Sequence, residues 1–413
     1  MRKGVDGMAV AGLRMRYDKK IAVIQSGGPT AVLNSSLFGL LQEIGRTDER
    51  ANVIGIRQGL TGLVNGDFFN LDLRQSLDWL QFQPGAVLGA GRMAFTNDDL
   101  TAGVEHLKRA DIRALVLLGG NGTMAAGDKL AVKAKEMGYE LQVIGIPKTV
   151  DNDIVGTDHT PGFPSAAKFV ARAVRDLSTD LEAMKNFEHV RIIETMGRNV
   201  GWLTAASIYY KERMEDGPHL VYVPEIPFDS EAMLRAVSDI HSRLGYCVVV
   251  VSEGLKGKDG QPIMMNGMKQ NTQSKALGGV GSVLAESVST RLGLACRYEN
   301  LGILQRCATF AVSELDRMEA AALGRKAAQL ILRGESGMMV RIERLAHQPY
   351  KWEIGKIAFA AVAGKERELD SKYISADGTI HSGYRRWLAP FMDATNRYRT
   401  IIPISYAQKE ENS

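Results

Sequence analysis

From Lys20 onward, short apolar runs rich in β-branched residues alternate with longer stretches in which apolar residues recur every three to four positions. The short runs predict strands at 21–25, 53–57, 114–118, 143–146, 190–194, 219–223 and 247–252, and the longer spacing predicts helices at 125–135, 165–180 and 231–243. Strands that alternate with helices build βαβ units, so the fold class is α/β with a mainly parallel sheet. The run at 246–251 is far too short to cross a bilayer and reads as a buried strand. No sequence repeat and no low-complexity linker interrupts the pattern.

Glycine and proline clusters fall just after the predicted strands, at 26–30, 119–123, 147–153 and 196–201, and Glu253 with Gly254 closes another strand. Ligands of open α/β sheets bind at such carboxyl ends. SGGPTAVLN at 26–34 and GGNGT at 119–123 each lead into a helix, so backbone N–H groups at two positive helix ends suit a polyphosphate. A tight strand-to-helix turn explains either cluster taken alone, and neither has the Lys-Ser or Lys-Thr pair of a Walker loop.

PKTVDNDIVGTDHT at 147–160 is more specific, because it packs Lys148, Thr149, Asp151, Asp153 and Asp158 into one strand-end segment. Phosphoryl transfer to a hydroxyl needs a carboxylate to take the proton and cations to offset charge. In an extended stretch Asp151 and Asp153 point the same way, one as base and the other holding magnesium directly or through water. Met196, Gly197 and Arg198 are expected to begin a helix and to place a guanidinium at its positive end, suited to a sugar phosphate. Arg198, Arg297 and Arg306 equally fit surface arginines. Glu253 is expected at an exposed strand end, accepting sugar hydroxyls, because an unpaired buried carboxylate is costly.

Composition narrows the class. At 413 residues the chain suggests two or three lobes, and 45% apolar with 24% charged residues is ordinary for globular proteins. Net charge is +4, from 51 basic and 47 acidic residues, with no long basic block, so neither nucleic acid nor membrane is expected as a partner. Cys247, Cys296 and Cys307 are scattered, which argues for a reducing, cytoplasmic setting and against a disulfide framework or zinc site. The first residues, with Arg2, Lys3, Arg14 and Arg16 around a brief apolar patch, read as a flexible extension.

Taken in order, SGGPTAVLN, LGAGR (88–92), GGNGT, PKTVDNDIVGTDHTPGF, ETMGRNVGW (194–202), SEG (252–254) and LGILQR (301–306) resemble the phosphofructokinase family over 21–337. The resemblance implies two Rossmann-like three-layer lobes with mainly parallel sheets, donor and sugar phosphate meeting in the cleft between them. It places a donor-binding lobe at 20–162 with a contribution from about 310–345, a sugar-phosphate lobe at 163–309, and extensions at 1–19 and 346–413. The implied activity is magnesium-dependent transfer of a phosphoryl group to the 1-hydroxyl of fructose 6-phosphate, a glycolytic step. Carried over by motif, Asp151 looks like the base, with Lys148, Thr149, Asp153 and Arg198 beside the phosphoryl path. Thr149, Asp151, Met196, Gly197, Arg198, Glu253, Arg297, Ile303 and Arg306 look like the sugar-phosphate site, and Gly28, Arg92, Gly122, Thr123 and Lys148 like the donor site. Asn121 and Asp153 match metal-associated positions. Arg297 matches an arginine that crosses a subunit interface in many relatives, which implies a homo-oligomer, dimer or tetramer.

Three departures from the family pattern carry weight. Asn121 stands where many relatives have a magnesium-associated aspartate, Ile303 where relatives often have histidine or tyrosine on the sugar phosphate, and His189 with Arg191 where ATP enzymes often have an arginine before MGR. Donor signals are mixed. Gly122 leaves room for a nucleotide's α-phosphate, which an acid there would repel. Lys148, Leu60 in place of an adenine-packing aromatic, Ala126 in place of glycine, and the phrases QSGGPTAVLN and TDHTPGF favour pyrophosphate. The expectation is pyrophosphate, with ATP as the alternative and a non-catalytic sugar-phosphate sensor as the rival from another class.

Overall fold

The computed structural model describes residues 19–48, 51–263, 279–394 and 398. The expected extension before Lys19 and the tail after Ile402 lie outside the described residues. Eleven strands are described: β1 Lys20–Gln25, β2 Val53–Ile56, β3 Phe68–Leu71, β4 Ile112–Gly119, β5 Gln142–Pro147, β6 Val190–Thr195, β7 Leu220–Tyr222, β8 Cys247–Ser252, β9 Cys296–Asn300, β10 Met338–His347 and β11 Tyr350–Ala358. They form two sheets, ordered β11-β10-β5-β4-β1-β2-β3 and β7-β8-β6-β9. All pairs are parallel except β2/β3 and β10/β11. The expected α/β class with mainly parallel sheets is what the chain adopts.

The central strands were legible because helices cover both faces of a parallel sheet, leaving an unbroken apolar run. Every residue of β8 is buried, as is every residue of β6. β3, β9, β10 and β11 escaped the reading. β3, β9 and β11 lie at sheet edges and, like the outer half of β10, mix exposed polar positions with half-buried ones.

After the second sheet the chain returns to the first through helix Glu314–Leu332, which lies along helix Leu33–Thr47. Two glycines set that approach. A Cβ at Gly39 would lie 1.9 Å from the Ala321 carbonyl oxygen, and one at Gly324 would lie 2.0 Å from that of Ser36. Gly39→Val therefore drives the helices apart and is expected to cost about 3 kcal/mol or more, read as a lower urea midpoint. An unchanged midpoint would show that the helix pair is not a fixed contact.

The stretch after His347 serves both sheets. β11 completes the first, while Tyr373, Tyr384, Trp387 and Phe391 enter the core under the second, with Trp202 and Trp387 rings 5.2 Å apart. Behind the 147–153 loop lies a buried polar network. His159 sits between Asp158 (2.9 Å from Nδ1) and Glu319 (2.7 Å from Nε2), Tyr350 Oη donates to Glu319 at 2.6 Å, and Arg344 grips Asp158. Burial alone would lower the His159 pKa, but the two carboxylates outweigh it and raise it from 6.5 to about 9. The same contacts hold Asp158 well below the usual carboxylate range despite its burial.

No helix among the described residues is long and apolar enough to cross a membrane. The three cysteines are free, Cys247 buried and the other two half-buried.

Candidate active site

Five loops converge from strand ends. Residues 26–30 follow β1, Gly120 follows β4, Lys148 follows β5, Met196 follows β6 and Glu253 follows β8. The loop after β1 turns on Gly27, whose φ of 76° is in the left-handed region that favours glycine. The 16-residue helix Asn121–Glu136 starts at Gly120 with no side chain capping its first N–H groups. Such an end attracts an anion.

A knot of charge fills the space between these loops. Lys148 is buried and its Nζ donates to the Gly28 carbonyl oxygen at 2.6 Å. Over Gly28 two guanidinium groups converge, since a Cβ there would meet Arg306 Nη1 at 2.5 Å and Arg92 Nη2 at 3.5 Å. Asp151 lies within electrostatic reach of Lys148, Arg92, Arg306 and Glu253, and Asp153 within reach of Asp151, Lys148 and Glu366. Glu253 accepts from the Gly197 backbone N–H and has Arg198 and Arg92 nearby. Gly254 makes this possible, because a Cβ there would lie 1.9 Å from the Arg198 carbonyl oxygen. Met196 N donates to Gln305 Oε1 at 3.0 Å, which ties the loop after β6 to the 301–306 segment.

Burial dominates the acid–base balance. It raises Asp151 to about 6, helped by the negative charge of Glu253 and opposed by Lys148, Arg92 and Arg306. It raises Asp153 to about 7, with Asp151 and Glu366 adding to the effect. It lowers Lys148 to about 8, and the flanking carboxylates resist that fall. Glu253 is raised by burial and by Glu194. One such center holds a carboxylate poised near neutrality among three cations, an arrangement that can accept a proton while charge builds on a nearby anion.

Several expectations need correction. The carboxylates of Asp151 and Asp153 do not share a side through an extended backbone, because Asn152 between them has φ 60° and is fully buried. Its Oδ1 accepts from Thr160 N at 3.0 Å and fixes a turn, while Thr149 Oγ1 accepts from Asp151 N at 3.1 Å. Met196–Arg198 do not begin a helix. They form a loop, with Gly197 at φ 137°, and the helix starts only at Trp202. Glu253 is not at an open strand end but half-buried, accepting from the Gly197 N–H with Arg198 and Arg92 nearby.

Other candidates stand apart from the knot. Arg297 lies on edge strand β9 and pairs with Glu188 at 2.7 Å. Arg191 is buried, donating to Asp180 and Glu188 at 2.7 Å each, so it is consumed within the lobe. His189 immediately precedes β6, at the end away from the loops, with its ring 4.9 Å from that of His241. Ile303 is 58% exposed and precedes the short helix that carries Arg306. Thr123 is buried beneath Gly119, whereas a Cβ at Gly122 would meet nothing within 4 Å. Leu60 and Ala126 are buried in the first core and present no aromatic platform.

Sequence reasoning missed a segment that crosses the loops. Asn121 Nδ2 donates to Lys365 O at 2.5 Å, Asn199 Nδ2 to Glu366 Oε1 at 2.6 Å, and Arg367 N to Asp153 O at 2.8 Å. Glu366 also bridges Ile154 in antiparallel fashion. Nothing in the local sequence marks these residues, because their partners lie far away along the chain.

This assembly of strand-end loops around buried cations and carboxylates defines an α/β enzyme that handles phosphoryl groups. The family model for phosphofructokinase matches residues 20–331, and the chain belongs to that family of phosphotransferases. It is 42% identical over 377 residues to the sulfofructose kinase of Alkalicoccus urumqiensis, covering 91% of this chain and 96% of the relative. It is 33% identical over 387 residues to the pyrophosphate–fructose 6-phosphate 1-phosphotransferase of Rhodospirillum rubrum, covering 91% and 95%. The crystal structure of the pyrophosphate-dependent phosphofructokinase from Marinobacter aquaeolei superimposes with a TM-score of 0.82 at 30% identity, covering 93% of this chain and 94% of that one.

Proposed function

We propose that this protein transfers a phosphoryl group from pyrophosphate to the 1-hydroxyl of a fructose that carries an anionic group at C6. The observation that carries the reading is the placement of Asp151 among Lys148, Arg92, Arg306 and Glu253. In this account Asp151 accepts the hydroxyl proton as its oxygen attacks phosphorus, and Lys148, Arg92 and Arg198 offset the charge that builds on the moving group. Gly28 and the first turn of helix Asn121–Glu136, with Gly122 and Thr123, hold the donor. Met196, Gly197, Glu253 and Arg306 hold the sugar, and Thr149 fixes the backbone at Asp151.

Magnesium fits the site. Asp153 Oδ1 and Asn121 Oδ1 are buried without a partner, and carboxylate and amide oxygens suit a hard cation that keeps several waters. These two residues would hold it, and the ion would supply charge neutralisation to the donor phosphates. Among the described residues no group of three or more histidine, cysteine or acidic side chains could hold a metal, so Asp153 and Asn121 would hold the ion together with the donor rather than alone.

Pyrophosphate as donor is supported by Lys148, by the absence of an aromatic platform at Leu60, and by the likeness to pyrophosphate-dependent relatives. Fructose 6-phosphate is the first acceptor on this reading, through Arg306 and, across an oligomer interface, Arg297. A second acceptor, sulfofructose, is favoured by Ile303. It stands where relatives often have histidine or tyrosine on the sugar phosphate, and a sulfonate carries one negative charge where a phosphate ester carries nearly two. The 42% likeness to a sulfofructose kinase points the same way. Initial velocities with both sugars test this. Ile303→His is expected to shift the kcat/KM ratio about tenfold toward fructose 6-phosphate, and an unchanged ratio would remove Ile303 from sugar selection.

A further inference from the structure

The segment after β11 carries a carboxylate into the donor side of the cleft. A recess of about 400 Å³ opens beside Gly122 and is lined by Asn121, Gly122, Ala125, Gly364 and Glu366. Glu366 is held on its wall by the bond from Asn199 and by the bridge to Ile154, while the neighbouring Lys365 O accepts from Asn121. Its charge reaches Asp153, so the carboxylate lies close to the path of the transferring group. On the donor placement proposed above, a nucleotide's α-phosphate would extend into the open space beside Gly122 once its outer phosphates met Lys148 and Gly28, whereas pyrophosphate would end before that point.

We propose that Glu366 is the residue that restricts the donor to pyrophosphate. The inference rests on the pyrophosphate reading above and deepens it. It also resolves the mixed donor signature. An acid absent from position 122 is supplied from the far end of the chain, and it repels the α-phosphate across the same recess. Glycine at 122 keeps the recess open, and Glu366 makes it negative.

The test uses the full-length protein as wild type, Glu366→Gln, and Glu366→Gln combined with Gly122→Asp. Each is assayed with pyrophosphate and with ATP at a fixed concentration of the better sugar, and each is titrated with a non-hydrolysable ATP analogue. Glutamine keeps the shape and the acceptor for Asn199. It is expected to raise the ATP-to-pyrophosphate ratio of kcat/KM about tenfold to hundredfold and to tighten analogue binding about as much. Aspartate at 122 in that background restores a negative charge to the same recess and is expected to reverse both. If wild type uses pyrophosphate and Glu366→Gln leaves the ratio and the analogue affinity within about twofold, the inference falls and the pyrophosphate reading stands. If wild type uses ATP as readily as pyrophosphate, both fall. Should Glu366→Gln turn over neither donor, analogue binding decides alone: tightening supports the inference, and no change overturns it.

Discussion

Asp151→Asn is expected to lower kcat about a thousandfold while the KM for the sugar moves by less than about threefold. Asparagine matches the shape of aspartate and leaves Lys148, Arg92 and Arg306 in place, so the loss isolates the proton-accepting charge. Removing a base that acts only in the transition state lowers kcat and kcat/KM together, because ground-state contacts to the sugar persist. Steady-state kinetics on wild type and variant check this. A variant within tenfold of wild type would mean that another group takes the proton.

His159→Gln is expected to cost about 3–5 kcal/mol at pH 6, because Asp158 and Glu319 are then buried without the cation between them. The cost is pH-dependent, and its sign follows from the raised pKa. His159 binds its proton more tightly in the folded chain (about 9) than in the unfolded one (6.5). Its contribution is therefore fully present below pH 6.5 and is lost as pH rises through 9, on the order of 3 kcal/mol in all. Lys148, lowered to about 8, acts in the opposite sense at the alkaline end, so the wild-type curve alone mixes the two. The difference between wild type and His159→Gln isolates the histidine. Urea denaturation at intervals from pH 6 to 9.5 should show the gap narrowing steadily, whereas parallel curves would mean that His159 is neutral in the folded protein.

The network around His159 has a positional consequence. It joins the chain just beyond the 147–153 loop to helix Glu314–Leu332, strands β10 and β11, and Trp387. Loss of that support loosens the backbone that carries Asp151 and Asp153. Stability and turnover are thus expected to fall together in the His159 variant, unlike in Asp151→Asn.

Much of this arrangement was visible in the chain before folding, and the reasons are local. Apolar β-branched runs followed at once by glycine or proline mark β1, β4, β5 and β6 and the loops at their ends. Those signals need only neighbouring residues. Asn152 shows where local reasoning fails, since its left-handed backbone depends on a bond to Thr160 eight residues on. Arg191 stands near the place where ATP enzymes often have an arginine before MGR, and only its tertiary pairing with Asp180 and Glu188 shows that it is consumed within the lobe. Glu366 carried no signal at all. Its position depends on Asn199, Ile154 and Asn121, which the fold gathers from three separate stretches of the chain. The donor signature stayed mixed in the sequence for the same reason, since the acid facing Gly122 is not encoded near Gly122.

The central claim is phosphoryl transfer to C1 of a C6-anionic fructose. Phosphorus NMR of the purified protein with magnesium, pyrophosphate and either fructose 6-phosphate or sulfofructose tests it most directly. The account predicts loss of the pyrophosphate signal with matched growth of orthophosphate and a new C1 phosphomonoester. Binding of either sugar with no new ester, from pyrophosphate or from ATP, would contradict it and favour a sensor.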